Sequence, residues 1–192
     1  MLLNSTESCE DILDKRLKFS QYHKILIAII GLILLADGSE ALALSLMIPC
    51  IIKEFSLDAG DKKLFSTVYY IGVMIGALSG GIFADKYGRK QLLIKTCLFT
   101  GLLGFSAFLF HNFTFFLIIR FIFGILIGIV SPLSVSIVTE SFPSNLRGKI
   151  FILCRVGKMI GELFAAILGV LFLDNSLTSG NWRALLLVSA IP

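Results

Sequence analysis

The 192-residue chain is short of charge: 16% of its residues are Asp, Glu, Lys or Arg, where soluble domains average about 25%. That supply cannot cover the surface of a soluble globule of this size with polar groups. Histidine is scarce as well, with only His23 and His111, at opposite ends of the apolar runs between them. The four cysteines, Cys9, Cys50, Cys97 and Cys154, have neither the spacing of a metal site nor that of a disulfide framework. They read as small apolar fillers. No nucleophile stands beside a plausible base, no metal ligands cluster and no phosphate-binding loop occurs, so neither an enzyme nor a cofactor is expected. Basic residues lie at the ends of apolar runs or singly within them, which leaves no nucleic-acid patch. Residues 1–23 are polar and mixed in charge, without the apolar core and cleavage site of a secretory signal, so the first apolar run is expected to serve as an uncleaved targeting signal.

What the chain has instead is apolar length. Hydrophobic residues make up 56% of it, 17 of them Phe, and mean hydropathy is +0.91. A helix needs about twenty apolar residues to cross a bilayer, and the runs fall at 24–52, 62–84, 91–111, 113–139, 149–173 and 182–192. This predicts an all-α membrane protein: an amino-terminal segment, 1–23, and a transmembrane bundle, 24–192, of five complete helices and the start of a sixth that is cut off at Pro192. Lys and Arg collect before the first run, after the second and after the fourth, whereas the loops after the third and fifth carry none. Short basic loops stay on the cytoplasmic side, so the amino terminus is expected to be cytoplasmic.

Between the second and third runs lies a charged loop, Gly81-Ile-Phe-Ala-Asp85-Lys86-Tyr-Gly88-Arg89-Lys90. Gly88 suits a sharp reversal, Asp85 can accept from exposed amides, and Arg89 offers a fork to a carboxylate. A bland reading, a basic loop that only fixes orientation, also fits. Set between two apolar helices, the pattern resembles the signature loop between helices two and three of the major facilitator superfamily of transporters. That resemblance implies half of a twelve-helix fold.

Charges inside the runs are the next signal. Asp37 and Glu40 stand mid-way along the first run, three residues apart and therefore on one helical face. Arg120 enters the fourth run and can approach Glu40; Arg155, Lys158 and Glu162 share a face of the fifth. Charge at such depth is costly, so these faces should meet a water-filled cavity or an opposite charge. A structural salt-bridge network that binds nothing is the alternative. The third run is uncharged from Lys95 to His111 and reads as lipid-facing. The second repeats Gly72, Gly76 and Gly80 on one face, which permits close approach of another helix.

Arg120, Gly124, Gly128, Pro132, Glu140-Ser-Phe-Pro143 and Arg147-Gly148 are similar to a second pattern, found in the sugar-porter and organic-ion branches of that superfamily. The resemblance implies that Glu140 and Arg147 join Arg89 in a cytoplasmic charge cluster that locks the outward-open state. Ala36-Asp37, Glu40 and Asn181-Trp182-Arg183 resemble the relatives of synaptic vesicle glycoproteins and organic-ion transporters. Arg155, where sugar porters usually carry Gln, counts against a hexose.

The resemblance therefore implies a secondary transporter, or its amino-terminal half, that moves a small organic ion or metabolite by alternating access. Asp37, Glu40 and Glu162 would carry a proton or coordinate a cation, and Arg120, Arg155 and Lys158 would counter substrate charge. The partners implied are the lipid bilayer, a small-molecule substrate, a proton or cation, and a carboxy-terminal six-helix half or second chain. Without that half, the glycine face of the second run and the cavity faces of the first, fourth and fifth are expected to lack partners. A sugar porter and a non-transporting scaffold subunit are the alternatives, and plasma membrane and vesicle membrane remain equal choices.

Overall fold

The computed structural model describes residues 21–55, 59–106, 113–173 and 181–189. Residues 1–20, the tips of the first, third and fifth loops, and 190–192 lie outside that range, and with them most of the amino-terminal segment, Cys9 and His111. Among the described residues there are six helices: α1 (Gln21–Glu54), α2 (Ala59–Tyr87), α3 (Arg89–Ser106), α4 (Phe113–Ser141), α5 (Ser144–Phe172) and α6 (Trp182–Ser189). Among the described residues there is no strand, only an isolated bridge at Leu173.

Among the described residues, three of these helices are long and apolar enough to cross a membrane: α1, α2 from Lys63, and α4. This is fewer than the five complete spans expected. The third expected run extends past Ser106 into residues outside the described range, and charge accounts for the rest: Arg89, Lys90 and Lys95 stand within the 18 residues of α3, and α5 carries Arg147, Lys149, Arg155, Lys158 and Glu162. The charges that suggest function lower the apolar character of those two helices.

Local chemistry sets the corners. Gly88 takes a positive φ of 84°, and its amide closes onto the Ala84 carbonyl at 2.9 Å. A residue with a side chain resists that conformation, so α2 stops there and α3 restarts at Arg89. Pro143 separates α4 from α5: it has no amide to donate and its φ is −57°, which suits the position just before a helix. The Asn181 side chain accepts from the Ala184 amide at 3.2 Å and caps α6.

The helices pack chiefly as two pairs, α1 with α5 and α2 with α4; α3 lies against α4, and α6 against α1 and α5. Within lipid the hydrophobic effect does little to join helices, so close van der Waals approach must do it. Glycines supply that approach. A Cβ on Gly76 would run into the Ile125 carbonyl of α4, and one on Gly161 into the Leu35 carbonyl of α1. The glycine face of α2 is thus covered by α4 inside this chain, which corrects the expectation that it needed an outside partner. α3 exposes Ile94, Leu98, Phe99 and Leu102 on one side and rests Leu93 against Ile129, Val130 and Leu133 on the other.

Candidate functional site

Near the middle of the 34-residue α1, an otherwise apolar helix buries Asp37, Ser39 and Glu40. Burying two carboxylates is tolerable only where other groups answer them, and two different helices do so. Lys158 of α5 donates from Nζ to Asp37 Oδ2 at 2.9 Å. Arg120 of α4 brings Nη1 to 3.6 Å from Glu40 Oε2, close enough for Coulomb attraction and too long for a hydrogen bond. Arg120 is 1% exposed, and its guanidinium lies over two rings of its own helix, 5.2 Å from Phe116 and 5.3 Å from Phe123. The ion thus stands over two aromatic quadrupoles, which offsets part of its lost hydration.

The hydroxyl of Ser39 donates to the Ser189 carbonyl at 3.0 Å and so ties α6 to the same level of α1. Beside this polar belt lies a cavity of about 340 Å³, bordered by Asp37, Glu40 and Ser189 together with Thr100 of α3 and Phe123 and Val130 of α4. α3 therefore contributes a wall to the cavity in addition to its exposed apolar side.

The remaining expected residues are spread over two places. Glu162 is half-buried and Arg155 exposed on α5, the latter 5.8 Å from the Phe151 ring; neither joins the Asp37–Glu40 cluster. At the corner of α2 and α3, Arg89 pairs with Glu140 at the end of α4, while Arg147 donates from Nε to the Phe142 carbonyl at 2.8 Å. Gly81, Asp85, Lys86, Lys90 and Gly148 are exposed around this end. Among the described residues, no three His, Cys, Asp or Glu side chains group in a way that could hold a metal ion.

Sequence reasoning passed over Ser39, Ser189 and the two rings. The rings were legible, since Phe116 and Phe123 stand four before and three after Arg120, the spacing of neighbours on a helix. The serines were not, because their contact spans 150 positions of chain.

A bundle of apolar helices with an internal carboxylate–cation belt and a basic, ion-paired corner is the framework of a polytopic membrane protein. The model of the Major Facilitator Superfamily matches residues 29–192, and the chain belongs to that family. It is an integral membrane protein. Similar curated proteins include the niacin transporter NiaP of Acinetobacter baylyi, 25% identical over 93% of this chain and 40% of the relative. The synaptic vesicle 2-related protein of Bos taurus is 32% identical over 91% of this chain and 31% of the relative. Organic cation/carnitine transporter 7 of Arabidopsis thaliana is 29% identical over 91% of this chain and 34% of the relative. The chain thus spans 31–40% of the length of these relatives.

Proposed function

We propose that this chain is the amino-terminal helical bundle of a secondary active transporter for a small organic ion, with α3, α5 and α6 lying in the bilayer beside α1, α2 and α4. The observation that carries this reading is the division of labour on α1. Asp37 is answered from α5 and Glu40 from α4, so a change of charge at either carboxylate alters how α1 sits against one neighbour. That is the kind of two-state element on which ion binding can act. In this reading Asp37 and Glu40 take up the coupling proton or cation, with Glu162 as a further acid on α5. Arg120, Lys158 and Arg155 balance the charge of the substrate. The basic corner of Arg89, Glu140 and Arg147 lies on the cytoplasmic side and acts as a lock between states. Similarity to proteins named as transporters of niacin and of organic cations and carnitine favours an organic ion over a sugar.

The test is uptake into proteoliposomes by the complete polypeptide, with radiolabelled niacin and carnitine as probes and a pH gradient imposed. Gradient-driven uptake that is abolished in Asp37→Asn or Glu40→Gln is the expected result. Uptake of either probe that keeps its rate and pH dependence in both variants removes these residues from the mechanism.

A further inference from the structure

The buried fork of Arg120 remains unanswered. Its Nε, Nη1 and Nη2 are closed to solvent and have no hydrogen-bond partner among the described residues, and unmet buried donors are costly. The two rings beside the guanidinium offer faces and no acceptor, so a partner has to be another side chain. Register supplies one. Gly72 of α2 lies on the Phe121 carbonyl of α4 and Gly76 on that of Ile125, so the two helices run in the same direction, step for step. Phe65 stacks on Phe116, with ring centroids 5.6 Å apart and 10° between the planes. One turn further along both helices, on the same faces, Tyr69 and Arg120 come level. Tyr69 is 6% exposed, and its phenol lies in the electrostatic field of Asp37, Arg120 and Glu40. A buried tyrosine hydroxyl usually has a hydrogen-bond partner.

We infer that Tyr69 is a positioning residue for Arg120: its phenol oxygen accepts from the guanidinium when Glu40 is neutral and gives it up when Glu40 is ionised. A guanidinium carries five N–H donors and a phenol oxygen is an acceptor. Ionised Glu40 attracts the fork across the gap to α1, where Nη1 and Oε2 stand 3.6 Å apart. Without that charge the pull from α1 falls to that of a neutral acceptor, whereas α2 stays in backbone contact with α4 through Gly72, Gly124 and Gly128. The helix that carries Arg120 is then tied to α2 in one state and to α1 in the other, which turns a change of charge into a change of neighbour. The other titratable groups nearby do not compete. Asp37 of α1 is held by Lys158 of α5, and Tyr70 of α2 is exposed. Cys97 of α3 borders the cavity beside Glu40, and α6 brings only the neutral Ser189. The inference rests on the change of charge at Glu40 proposed above, with Arg120 kept as the counter-charge.

Magnetic resonance of the complete polypeptide in detergent micelles tests it, with tyrosine isotopically labelled at the ring carbon that bears oxygen. The Tyr69 signal is identified by its loss in Tyr69→Phe. Glu40→Gln holds that position neutral and is expected to displace the signal. The displacement is expected to be lost in Glu40→Gln/Arg120→Met, where no guanidinium remains. An unmoved signal in Glu40→Gln overturns the inference, as does a displacement that persists without Arg120. Thermal unfolding gives a second readout. Tyr69→Phe removes one oxygen and keeps the ring, so it should lower the midpoint of Glu40→Gln by more than that of the parent chain; an equal or smaller lowering overturns the inference. Neither measurement involves transport, so uptake that is unchanged in Glu40→Gln rejects the coupling role, while the contact between Tyr69 and Arg120 is decided by these two readouts alone.

Discussion

Arg120 and Glu40 face each other across the gap between α4 and α1 without bonding: Nη1 stands 3.6 Å from Oε2, and no guanidinium nitrogen has a hydrogen-bond partner among the described residues. One helical turn away, Lys158 and Asp37 meet at 2.9 Å. Two neighbouring carboxylates of one helix are thus held differently, one saturated by an ammonium and the other left open beside a buried fork. Each arrangement leads to a different expectation.

Removing one member of the Arg120–Glu40 pair leaves an uncompensated buried charge, which typically costs about 3–5 kcal/mol, whereas replacing both with apolar groups is often neutral. Arg120→Met is therefore expected to lose most of the stability of the bundle, and Glu40→Met/Arg120→Met to recover most of that loss. Thermal unfolding in detergent micelles checks this. A double variant as unstable as the single one contradicts it.

At Asp37–Lys158 the lysine side chain keeps 28% of its surface exposed, so solvent shares in balancing its charge. Lys158→Met still leaves the Asp37 carboxylate, 7% exposed, without its cation, so it should cost about as much as Arg120→Met, about 3–5 kcal/mol. The same unfolding series compares the two. Asp37→Lys/Lys158→Asp is expected to restore part of the loss, and failure of this exchange would show that the pair depends on more than charge.

Glycine substitutions separate packing from propensity. A Cβ on Gly161 meets the Leu35 carbonyl and backbone cannot step aside cheaply, while a Cβ on Gly101 meets nothing within 4 Å. Overpacking of this kind costs about 1–3 kcal/mol; a change into open space stays within about 0.5 kcal/mol. Gly161→Ala should thus lower the unfolding midpoint while Gly101→Ala leaves it in place. Equal effects would mean that the α1–α5 crossing is looser than described.

The Arg89–Glu140 pair is exposed, with 37% and 55% of the side-chain surfaces accessible, and exposed pairs contribute about 0–1 kcal/mol. Glu140→Gln should hardly alter unfolding, and molar salt should erase what difference there is. The same small energy can still shift a balance between two conformations by up to about fivefold. Distance measurements between spin labels on the α2–α3 corner and the end of α4 would detect that shift. A large loss of stability would make the pair a structural tie instead of a lock.

Much of this was written along the chain. Hydropathy located the apolar helical segments, although among the described residues only α1, α2 and α4 are long and apolar enough to cross a bilayer, and Gly88 and Pro143 marked two corners because backbone sterics act locally. The signature loop and the second motif located Arg89 and Glu140, and the position of Asp37, Glu40, Arg120 and Lys158 inside apolar runs picked out the belt. The expected approach of Arg120 to Glu40 followed from depth alone, since the rise per residue is constant.

Partner choice was not legible in this way. Sequence put Arg155, Lys158 and Glu162 on one face of α5 as candidates to meet Asp37, and only the rotation of α5 about its axis, set by Gly157 and Gly161 against α1, turns Lys158 inward and leaves Arg155 outside. The face of α2 that seemed to await another bundle is closed by α4, and Ser189 reaches Ser39 across most of the chain. Sequence determined which residues lie at which depth, because helix rise and membrane thickness are local rules. Tertiary structure decided which of them meet, because helix rotation and pairing depend on contacts between segments far apart in the chain.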